Sequence, residues 1–551
     1  MKKSEREEQL YFLTGMDQFN RSFSYLTDIR EKKKVGMFFW LWIGQPYAAG
    51  AYDAGKILDM ENGQKRLLGE TSDISPDGQQ HFWGEPLWGY YNSADEWVIR
   101  KQIELLMLAG VDFIVFDATN AITYPNVYEK VLQVIEEYID AGWNPPRAAF
   151  YTHSYSMRTA LGLYHDLYEP KKFERAWYCE GEKPVIIAYT NPAEDKAWAE
   201  KEMKDTGYQP PEYPDEMKNL FCFKRPQWPT DPFLEDGFPW IEWTWPQPMH
   251  QDTMSVSVAS HPNVPMSFSL TRGLENWGRG WDVETNVNRS ADVDKGTFFQ
   301  SQWNHALVMD PDTVFVGGWN EWIAYKQLWD GEYMLCDAVN KEYSRDIEPM
   351  CGGYGDSFYI QLIENIRQYK GKQESKQSNP GRALRYRSTD SAANGRDSYG
   401  VSQTIRYCQE ALENSIYEVV LSDSEDNLMI TVSFHKEIKE DHLKKLLLLF
   451  GVGEIHAGSW ESYDFQVGFE ENGKCCLYRL SDRRIVCVLN CQCNDKGIHI
   501  VIPRRKLSRN SDQIYFKVAF DVENPKDIMS YYTSGSALPP GRLSYIYPFG
   551  R

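Results

Sequence analysis

Eight short apolar runs lie along the first 370 residues, and amphipathic segments separate most of them. Continuous apolarity of this kind indicates β-strands that are covered on both faces. Strands that alternate with helices predict an α/β barrel of parallel strands, here a (β/α)8 TIM-like barrel. The predicted strands are residues 34–44, 111–120, 147–154, 183–191, 219–228, 239–247, 253–262 and 313–322.

The segments between the runs carry helix signals. In SADEWVIRKQIELLMLAG, residues 93–110, Ser93 or Asp95 can cap the start of a helix and Gly110 can end it. The pattern is least regular between the fifth and seventh strands, where helices are short or absent. Further helices are predicted at 124–142, 156–168, 193–207, 292–309 and 356–370.

Composition divides the chain, whose 551 residues exceed one ordinary core, into four segments. Residues 1–34 are charged and predict an N-terminal helical arm, and residues 35–370 hold the barrel. Residues 371–400 are polar without periodicity and predict a linker. Residues 401–551 alternate short apolar runs with turn residues, which predicts a C-terminal β-sandwich domain.

The charge of the chain limits its partners. A net charge of −20 disfavours nucleic acid and anionic membranes and leaves neutral ligands. No apolar run approaches the roughly 20 residues that span a bilayer. The N-terminus, MKKSEREEQLYFLTG, lacks the apolar region of a secretory signal. We expect a cytoplasmic protein, or a secreted one whose signal has been removed, and make no prediction of oligomeric state.

The 10 Cys residues do not resemble a disulfide framework in a chain of this length. Cys487, Cys491 and Cys493 lie close together and raise the question of a metal site. The surrounding sequence, RRIVCVLNCQC, fits a β-strand, and no matching pair of Cys lies at zinc-finger spacing. We therefore expect no metal and no other cofactor.

Polar and aromatic residues collect directly after the predicted strands, where barrel active sites are built. Singly, a strand-end Asp often caps a helix, and a single His is often a packing residue. Carboxylates on at least three strands, surrounded by indoles, would be costly to bury without a function. These residues include Trp40, Trp42, Asp117, His153, Glu242, His261, Trp319, Asn320, Glu321 and Trp322.

Hydrolysis of a glycosidic bond needs one carboxyl group that protonates the leaving oxygen and a second that acts as base or nucleophile. Glu321 and Glu242 each lie between Trp residues, and burial beside indoles keeps a carboxyl group a proton donor near neutral pH. We predict these two as the catalytic pair, with Asp117 as the third candidate. The sequence leaves open which residue is the acid and whether configuration is retained or inverted.

Aromatic residues make up 14% of the chain, and sugar rings stack on flat aromatic faces. Two aromatic loops, 81–97 and 273–289, are expected to cover the barrel end. The predicted stacking residues are Trp40, Trp83, Trp281, Trp319 and Trp322. The predicted polar contacts to substrate are His81, Glu85, Tyr90, His153, His261, Asp282, Asn320 and Glu348.

GGWNEW, residues 317–322, followed by EYSRDIEP, residues 342–349, resembles the Asn–Glu–Trp segment and trailing Ile–Glu–Pro of glycoside hydrolase family 99. Family 71 enzymes and the WbsX-like proteins of polysaccharide gene clusters are related barrels. The loops HFWGEPLWGYYNS and SVASHP…RGWD also resemble those of this group, and the resemblance covers about residues 35–370. It implies a (β/α)8 barrel that acts on glycosides, with a role in polysaccharide degradation.

One position departs from this resemblance. Family 99 has a second carboxylate three residues after the Glu of Asn–Glu–Trp, and this chain has Ala324 there. The family mechanism and its mannan specificity are therefore not implied, and Glu242, Asp117 or Glu348 would supply the missing group. A structural alternative for Glu348 is a carboxylate that braces the barrel end through an Arg.

Two other functions stay open. Ala324 also fits a non-catalytic carbohydrate-binding protein derived from such a barrel. A metal-dependent hydrolase would use Asp117, His153 and His261, although no HxH or HExxH spacing is present.

The C-terminal domain has a resemblance of its own. GSWESYDFQVGF, residues 458–469, resembles a segment of family 9-like carbohydrate-binding sandwiches. The alternative is a sandwich that only supports the barrel.

Overall fold

The computed structural model describes residues 5–26, 28–47, 49–69, 71–273, 276–371, 383–389, 391, 394–507 and 511–549. The chain forms two compact units, one of residues 31–359 and 398–406, the other of residues 1–30, 360–397 and 407–551. Each unit is described by itself below.

Eight parallel strands form the centre of the first unit. Seven lie within predicted apolar runs, and the sixth shares only residue 239 with its predicted run. Their order in the sheet is β6-β5-β4-β3-β2-β1-β8-β7, and no ladder of the described residues joins β6 to β7. The sheet is therefore a nearly closed barrel, which confirms the predicted fold. The strands are β1 (Lys34–Phe39), β2 (Phe113–Ala118), β3 (Arg147–Thr152), β4 (Lys183–Ile187), β5 (Cys222–Gln227), β6 (Gly237–Pro239), β7 (Thr253–Val256) and β8 (Thr313–Val316).

Helices follow the strands on most of the circuit. The clearest is α1 (Glu96–Ala109), whose start is capped by the Asp95 carboxylate and whose end is marked by Gly110 at φ 84°, as the sequence predicted. No helix of the described residues lies between β5, β6 and β7. The other helices along the circuit are α2 (Pro125–Asp140), α3 (Ser156–Leu163), α4 (Pro192–Glu202), α5 (Asp215–Leu220) and α6 (Thr297–Met309), and α7 (Ser357–Lys370) begins in this unit and continues in the second. Short helices at Ala54–Leu58, Gly63–Leu68 and Phe268–Thr271 lie in the loops after β1 and β7.

Large apolar side chains fill the barrel. The Phe38 ring contacts Trp40, Tyr151 and Phe315 edge-on, with ring centroids 4.8, 5.7 and 6.0 Å away. β1 needs a glycine at Gly36, because a Cβ there would lie 2.3 Å from the Phe113 ring. The barrel interior is thus a packed core, and ligands are restricted to its ends.

A second, four-stranded sheet follows β8. Its hairpin consists of β9 (Ile323–Trp329) and β10 (Glu332–Leu335), which pair antiparallel through a turn at Asp330 and Gly331. On its other edge β9 pairs with the strand Gln80–Phe82, which in turn pairs with Tyr52–Asp53. The hairpin leaves the barrel directly after the WNEW segment.

The second unit contains two antiparallel sheets and is sandwich-like, as predicted. The first sheet runs in the order Ser22–Phe23, Leu13–Met16, Leu543–Pro548, Gln513–Phe520, Leu446–Val452, Phe465–Phe469, Cys475–Arg479 and Ile485–Val488, with Ser536–Leu538 on Gln513–Phe520. The second runs in the order Leu384–Arg387, Ile416–Asp423, Asn427–Phe434, Gly497–Pro503 and Asn490–Asn494.

The N-terminal segment differs from the helical arm that its charge suggested. It is helical over Glu5–Tyr11, and Leu13–Met16 then pairs with Leu543–Pro548. Residues 372–382 of the predicted linker lie outside the described residues, and Leu384–Arg387 is an edge strand. None of the described helices is both long and apolar enough to cross a bilayer.

Candidate active site

Close packing fixes the segment after β8 at the C-terminal rim, the end of the barrel where the strands finish. A side chain at Gly317 would lie 2.5 Å from Ile241, and one at Gly318 would lie 2.9 Å from the Arg345 carbonyl oxygen. The Trp319 carbonyl accepts from the backbone N–H groups of residues 347 and 348, at 3.1 and 3.0 Å. Residues 319–322 and 345–348 are thereby held side by side.

Arg345 gathers three titratable side chains at this rim. Its Nη2 donates to Glu321 Oε2 at 2.5 Å and to Asp337 Oδ1 at 3.3 Å, and its Nη1 donates to His261 Nδ1 at 2.9 Å. The guanidinium lies 4.9 Å from the centre of the Trp240 ring. We call Glu321, Asp337, His261 and Arg345 the rim cluster. Asp337 is its accessible member, since its side chain is 33% exposed and that of Glu321 is 6% exposed.

Burial dominates the electrostatics of the rim cluster. It raises the pKa of Glu321 well above its usual range, an effect that Arg345 opposes and the Asp337 and Asp346 carboxylates reinforce. Burial also lowers the pKa of His261 to about 3, and the neighbouring Arg345 charge adds to this. His261 is therefore neutral. Because its Nδ1 accepts from Arg345, its proton is on Nε2.

Asp346 holds the backbone of Glu321 in place. One carboxylate oxygen of Asp346 accepts from the Glu321 backbone N–H, and the other accepts from the Trp83 indole at 2.6 Å. Burial raises the pKa of Asp346 to about 6, although the Arg279 charge lowers it. A buried carboxylate with two donors locks the backbone that carries Glu321.

Asp117, the third predicted catalytic residue, ends β2 and is buried. Its Oδ1 accepts from the Thr119 hydroxyl at 2.7 Å and from the Thr119 backbone N–H at 2.9 Å, so it does not cap the next helix. Burial raises the pKa of Asp117, the Thr119 bonds lower it, and the Asp337 charge raises it. The Asp337 charge thus acts on Asp117, while the hydrogen bonds of Asp117 go to Thr119 and not to the rim cluster.

Glu242, the second predicted catalytic residue, makes a different contact. Its Oε1 lies 2.7 Å from His250 Nε2, and His250 Nδ1 lies 2.6 Å from the Leu234 carbonyl oxygen. A carbonyl only accepts, so His250 Nδ1 carries a proton and one further proton is shared between Nε2 and Glu242. Among the contacts of the described residues, none joins the Glu242 carboxylate to Arg345 or Glu321.

The indoles predicted to stack on sugars are inside the protein. Trp319 and Trp322 are 0% exposed, and Trp322 stacks on Trp83 with ring centroids 4.4 Å apart. A ring without an accessible face offers no surface to a sugar, so packing is the role that the structure gives these residues, contrary to the prediction. Trp40, Trp83 and Trp281 are buried in the same way.

Other rings stay half-buried near the rim. The Trp42 ring lies 5.5 Å from the ring of Tyr325, and the Trp243 ring lies 5.0 Å from the His261 imidazole. Within the described residues, the indole N–H groups of Trp42 and Trp243 and the Nε of Arg345 are buried without an acceptor.

Glu348 is fully buried, and its carboxylate binds indoles instead of an Arg. Its oxygens accept from Trp88 Nε1 at 2.9 Å, Gln102 Nε2 at 2.7 Å, Tyr91 Oη at 2.9 Å and Trp322 Nε1 at 2.5 Å. Burial raises the pKa of Glu348 to about 7, and the four donors oppose the shift. The side chain holds the loop 81–97 against the WNEW segment, and both of its oxygens are already hydrogen-bonded within the protein.

Asn320 joins the ends of the first and last barrel strands. Its side-chain oxygen accepts from the Trp40 backbone N–H at 2.9 Å, and its amide group donates to the Trp40 carbonyl at 3.1 Å. Both bonds are buried, so this side chain ties the ends of β1 and β8 together and does not face a ligand.

The remaining polar side chains that were predicted to contact substrate also bind other residues of the protein. Of the polar substrate contacts predicted, the structure brings His261 alone into the rim cluster. The other contacts are His81 with Ser75 Oγ at 3.1 Å, Glu85 with Lys56 at 2.6 Å, Tyr90 with Asp53 at 2.7 Å, His153 with Asp231 at 3.5 Å, and Asp282 with Arg289 at 2.8 Å.

Sequence reasoning missed Arg345, Asp337 and His250. Arg345 lies within EYSRDIEP and directly before the Asp346 that holds Glu321, so a search for a cation beside the carboxylates could have found it. Asp337 follows β10, where no periodicity marks the strand end as part of the barrel rim.

A cation would compete with Arg345 for this site. His261, Cys336 and Asp337 each offer an atom that lies within 4.8 Å of the others. His261 Nδ1 and Asp337 Oδ1 already accept from Arg345, and burial raises the pKa of Cys336 well above its usual value. A guanidinium that occupies two of three ligands, next to a protonated thiol, does not fit a metal centre.

No protein-family model and no curated protein matches this chain. Among solved structures, it is similar to the GH99 endo-alpha-mannosidase from Bacteroides thetaiotaomicron, with 14% identity and a TM-score of 0.33 over 61% of this chain and 97% of that one. The same enzyme in complex with Bis-Tris propane gives 13% identity and a TM-score of 0.31, with the same coverage. Values this low carry no argument about activity, and the barrel rests on the strand pairing described above.

Proposed function

We propose that the chain is a glycoside hydrolase whose catalytic pair is Glu321 and Asp337. The observation that carries the proposal is the Arg345 guanidinium, whose Nη2 contacts a carboxylate oxygen of each residue. Because both oxygens touch one nitrogen, they are at most about 6 Å apart, near the separation at which the second carboxylate of a glycosidase acts as nucleophile. The proposed outcome is hydrolysis with retained configuration.

The surroundings of the two carboxyl groups suggest their roles. Burial raises the pKa of Glu321, which suits the residue that protonates the leaving oxygen. Asp337 is the more exposed of the two and accepts a hydrogen bond from Arg345 Nη2, which suits the nucleophile. In the second step Glu321 would take a proton from water as that water attacks the sugar bound to Asp337.

Half-buried aromatic rings beside the pair would hold the sugar. The Trp42 ring lies against Tyr325 and the Trp243 ring lies against His261. Rings that are partly open to solvent suit the apolar faces of a neutral carbohydrate. Asp117 and the Glu242–His250 pair are the further candidates for proton transfer.

The proposal is tested on aryl glycosides and oligosaccharides that differ in sugar and anomeric configuration. We expect Glu321→Gln and Asp337→Asn each to lower kcat/KM by about 100-fold or more, the usual scale for such groups. Asp330→Asn, at the exposed turn of the same hairpin, is the matched control and should match the parent. Proton NMR of the first product should show the anomeric configuration of the substrate.

Azide separates the two roles. With Asp337→Ala, azide should restore turnover and give a glycosyl azide of inverted configuration, because the small anion replaces the missing nucleophile. With Glu321→Ala, an activated aryl leaving group should be released faster than an alkyl one. Full activity in both substituted proteins would refute the pair. Loss in Glu242→Gln alone would assign the chemistry to the Glu242–His250 pair, and sugar binding without turnover would leave a carbohydrate-binding protein.

A further inference from the structure

The hairpin of β9 and β10 leaves the rim between the two proposed catalytic residues. β9 begins at Ile323, shortly after Glu321, and β10 ends at Leu335, shortly before Asp337. The strands stay paired to the tip, where Trp329 is opposite Glu332. Whatever binds along this hairpin is therefore continuous with the rim cluster.

The two faces of β9 differ in burial over residues 324–327. Side chains alternate along a strand, so Tyr325, Gln327 and Trp329 share one face. Lys326 is on the other face, where its Nζ is buried against the Ser75 carbonyl at 2.9 Å. The first face is open, since Tyr325 is 42% exposed and Trp329 is 57% exposed.

The open face forms a row of aromatic rings with Trp42. The Trp42 ring packs on the barrel core and lies 5.5 Å from the Tyr325 ring, with a 38° angle between the planes. Four residues of strand, about 13 Å, separate Tyr325 from Trp329. The row Trp42, Tyr325 and Trp329 thus starts at the rim and is longer than one sugar ring.

We propose that this row binds sugar units of a neutral polysaccharide beyond the bond that is cleaved, so that the enzyme acts within long chains. The proposal rests on the function proposed above. Exposed rings in a row bind successive sugar faces by stacking. The net charge of −20, with Glu332 beside Trp329, disfavours anionic chains.

Trp329→Ala and Tyr325→Ala test the row, and Leu328→Ala is the matched control. Leu328 neighbours Trp329, is 59% exposed and is on the opposite face of β9. The probes are gels that contain mannan, xylan, galactan or β-glucan, which retard a binding protein, and hydrolysis of the same polymers. We expect Trp329→Ala to weaken retardation and to raise KM for the polymer about tenfold, the value of one good aromatic contact.

Short substrates separate this inference from the proposed function. Trp329→Ala and Leu328→Ala should keep the parental kcat/KM on an aryl glycoside, which does not reach the tip of the hairpin. A parent that cleaves the aryl glycoside, with Trp329→Ala unchanged on polymer, overturns the row and leaves the hydrolase intact. A parent that is retarded but does not hydrolyse, with retardation lost in Trp329→Ala, supports the row and refutes the hydrolase.

Two further results would contradict sugar binding by this row. Equal losses in Leu328→Ala and Trp329→Ala would show an unspecific effect on the hairpin. Size-exclusion chromatography that shows a dimer in the parent and a monomer in Trp329→Ala, with unchanged retardation, would assign the hairpin to contact between two copies of the chain.

Discussion

Glu348→Gln tests how one buried carboxyl group and its proton affect the free energy of unfolding. The side chain is 0% exposed, and its two oxygens accept four hydrogen bonds. The substitution keeps the shape but replaces one acceptor oxygen by an NH₂ group, which faces two donors. A buried donor left without its acceptor costs about 1–3 kcal/mol, so the variant should lose several kcal/mol of unfolding free energy.

The loss should depend on pH in a fixed direction. Burial raises the pKa of Glu348 from 4.5 to about 7, so the folded state holds a proton that the unfolded state releases between these values. Stability from this group is therefore present at low pH and is lost as pH rises through about 7. Between pH 5 and pH 8 the two pKa values correspond to about 2.5 kcal/mol. Because Gln does not titrate, the deficit of the variant should be larger by that amount at pH 5.

The assay is urea unfolding of both proteins at pH 5 and pH 8, followed by Trp fluorescence, with linear extrapolation to water. Trp88 and Trp322 donate to Glu348 and report on this region. The exposed Glu235→Gln is the control for a lost carboxylate. Parallel pH dependence in the parent and Glu348→Gln would show that burial does not hold a proton on this residue.

Two further predictions concern other parts of the chain. Asn320→Ala leaves the Trp40 N–H and carbonyl without their partners and should cost about 2–4 kcal/mol in urea unfolding. The exposed Asn304→Ala should cost little. Equal losses in the two variants would show that the two bonds of Asn320 to Trp40 do not stabilise the fold. The Cys475 thiol lowers the pKa of Cys491 to about 7, so alkylation of Cys491 by iodoacetamide should reach half its maximal rate near pH 7. Cys475→Ala should raise that midpoint, and an unchanged midpoint would refute the thiol contact.

The barrel strands were predictable because parallel strands are apolar on both faces. The positions at which the strands end were less predictable. The sixth run was predicted to reach residue 247, but the strand is Gly237–Pro239, and the seventh ends at Val256. The residues that follow are rim aromatics, and their composition resembles that of a strand, so pattern alone extends the strand into the site.

Glu321 was predictable as a rim carboxylate, but its partner was not. Asp337 reaches Arg345 by way of a hairpin, which strand and helix periodicity in the barrel do not encode. The indoles beside Glu321 were predicted to stack on sugar rings because the sequence cannot show that Trp83 stacks on Trp322. The strand Leu13–Met16 was missed because its partner, Leu543–Pro548, is at the other end of the sequence.

That pairing of distant segments has a consequence for shortening the protein. Leu13–Met16 covers one side of Leu543–Pro548, and Ser22–Phe23 covers Leu13–Met16 in turn. A truncation that removes these early residues would uncover the backbone N–H and C=O groups of a long, apolar edge strand, which is a template for aggregation. Precipitation of a shortened chain would then report a bare sheet edge, and a soluble polar strand placed against it should restore solubility.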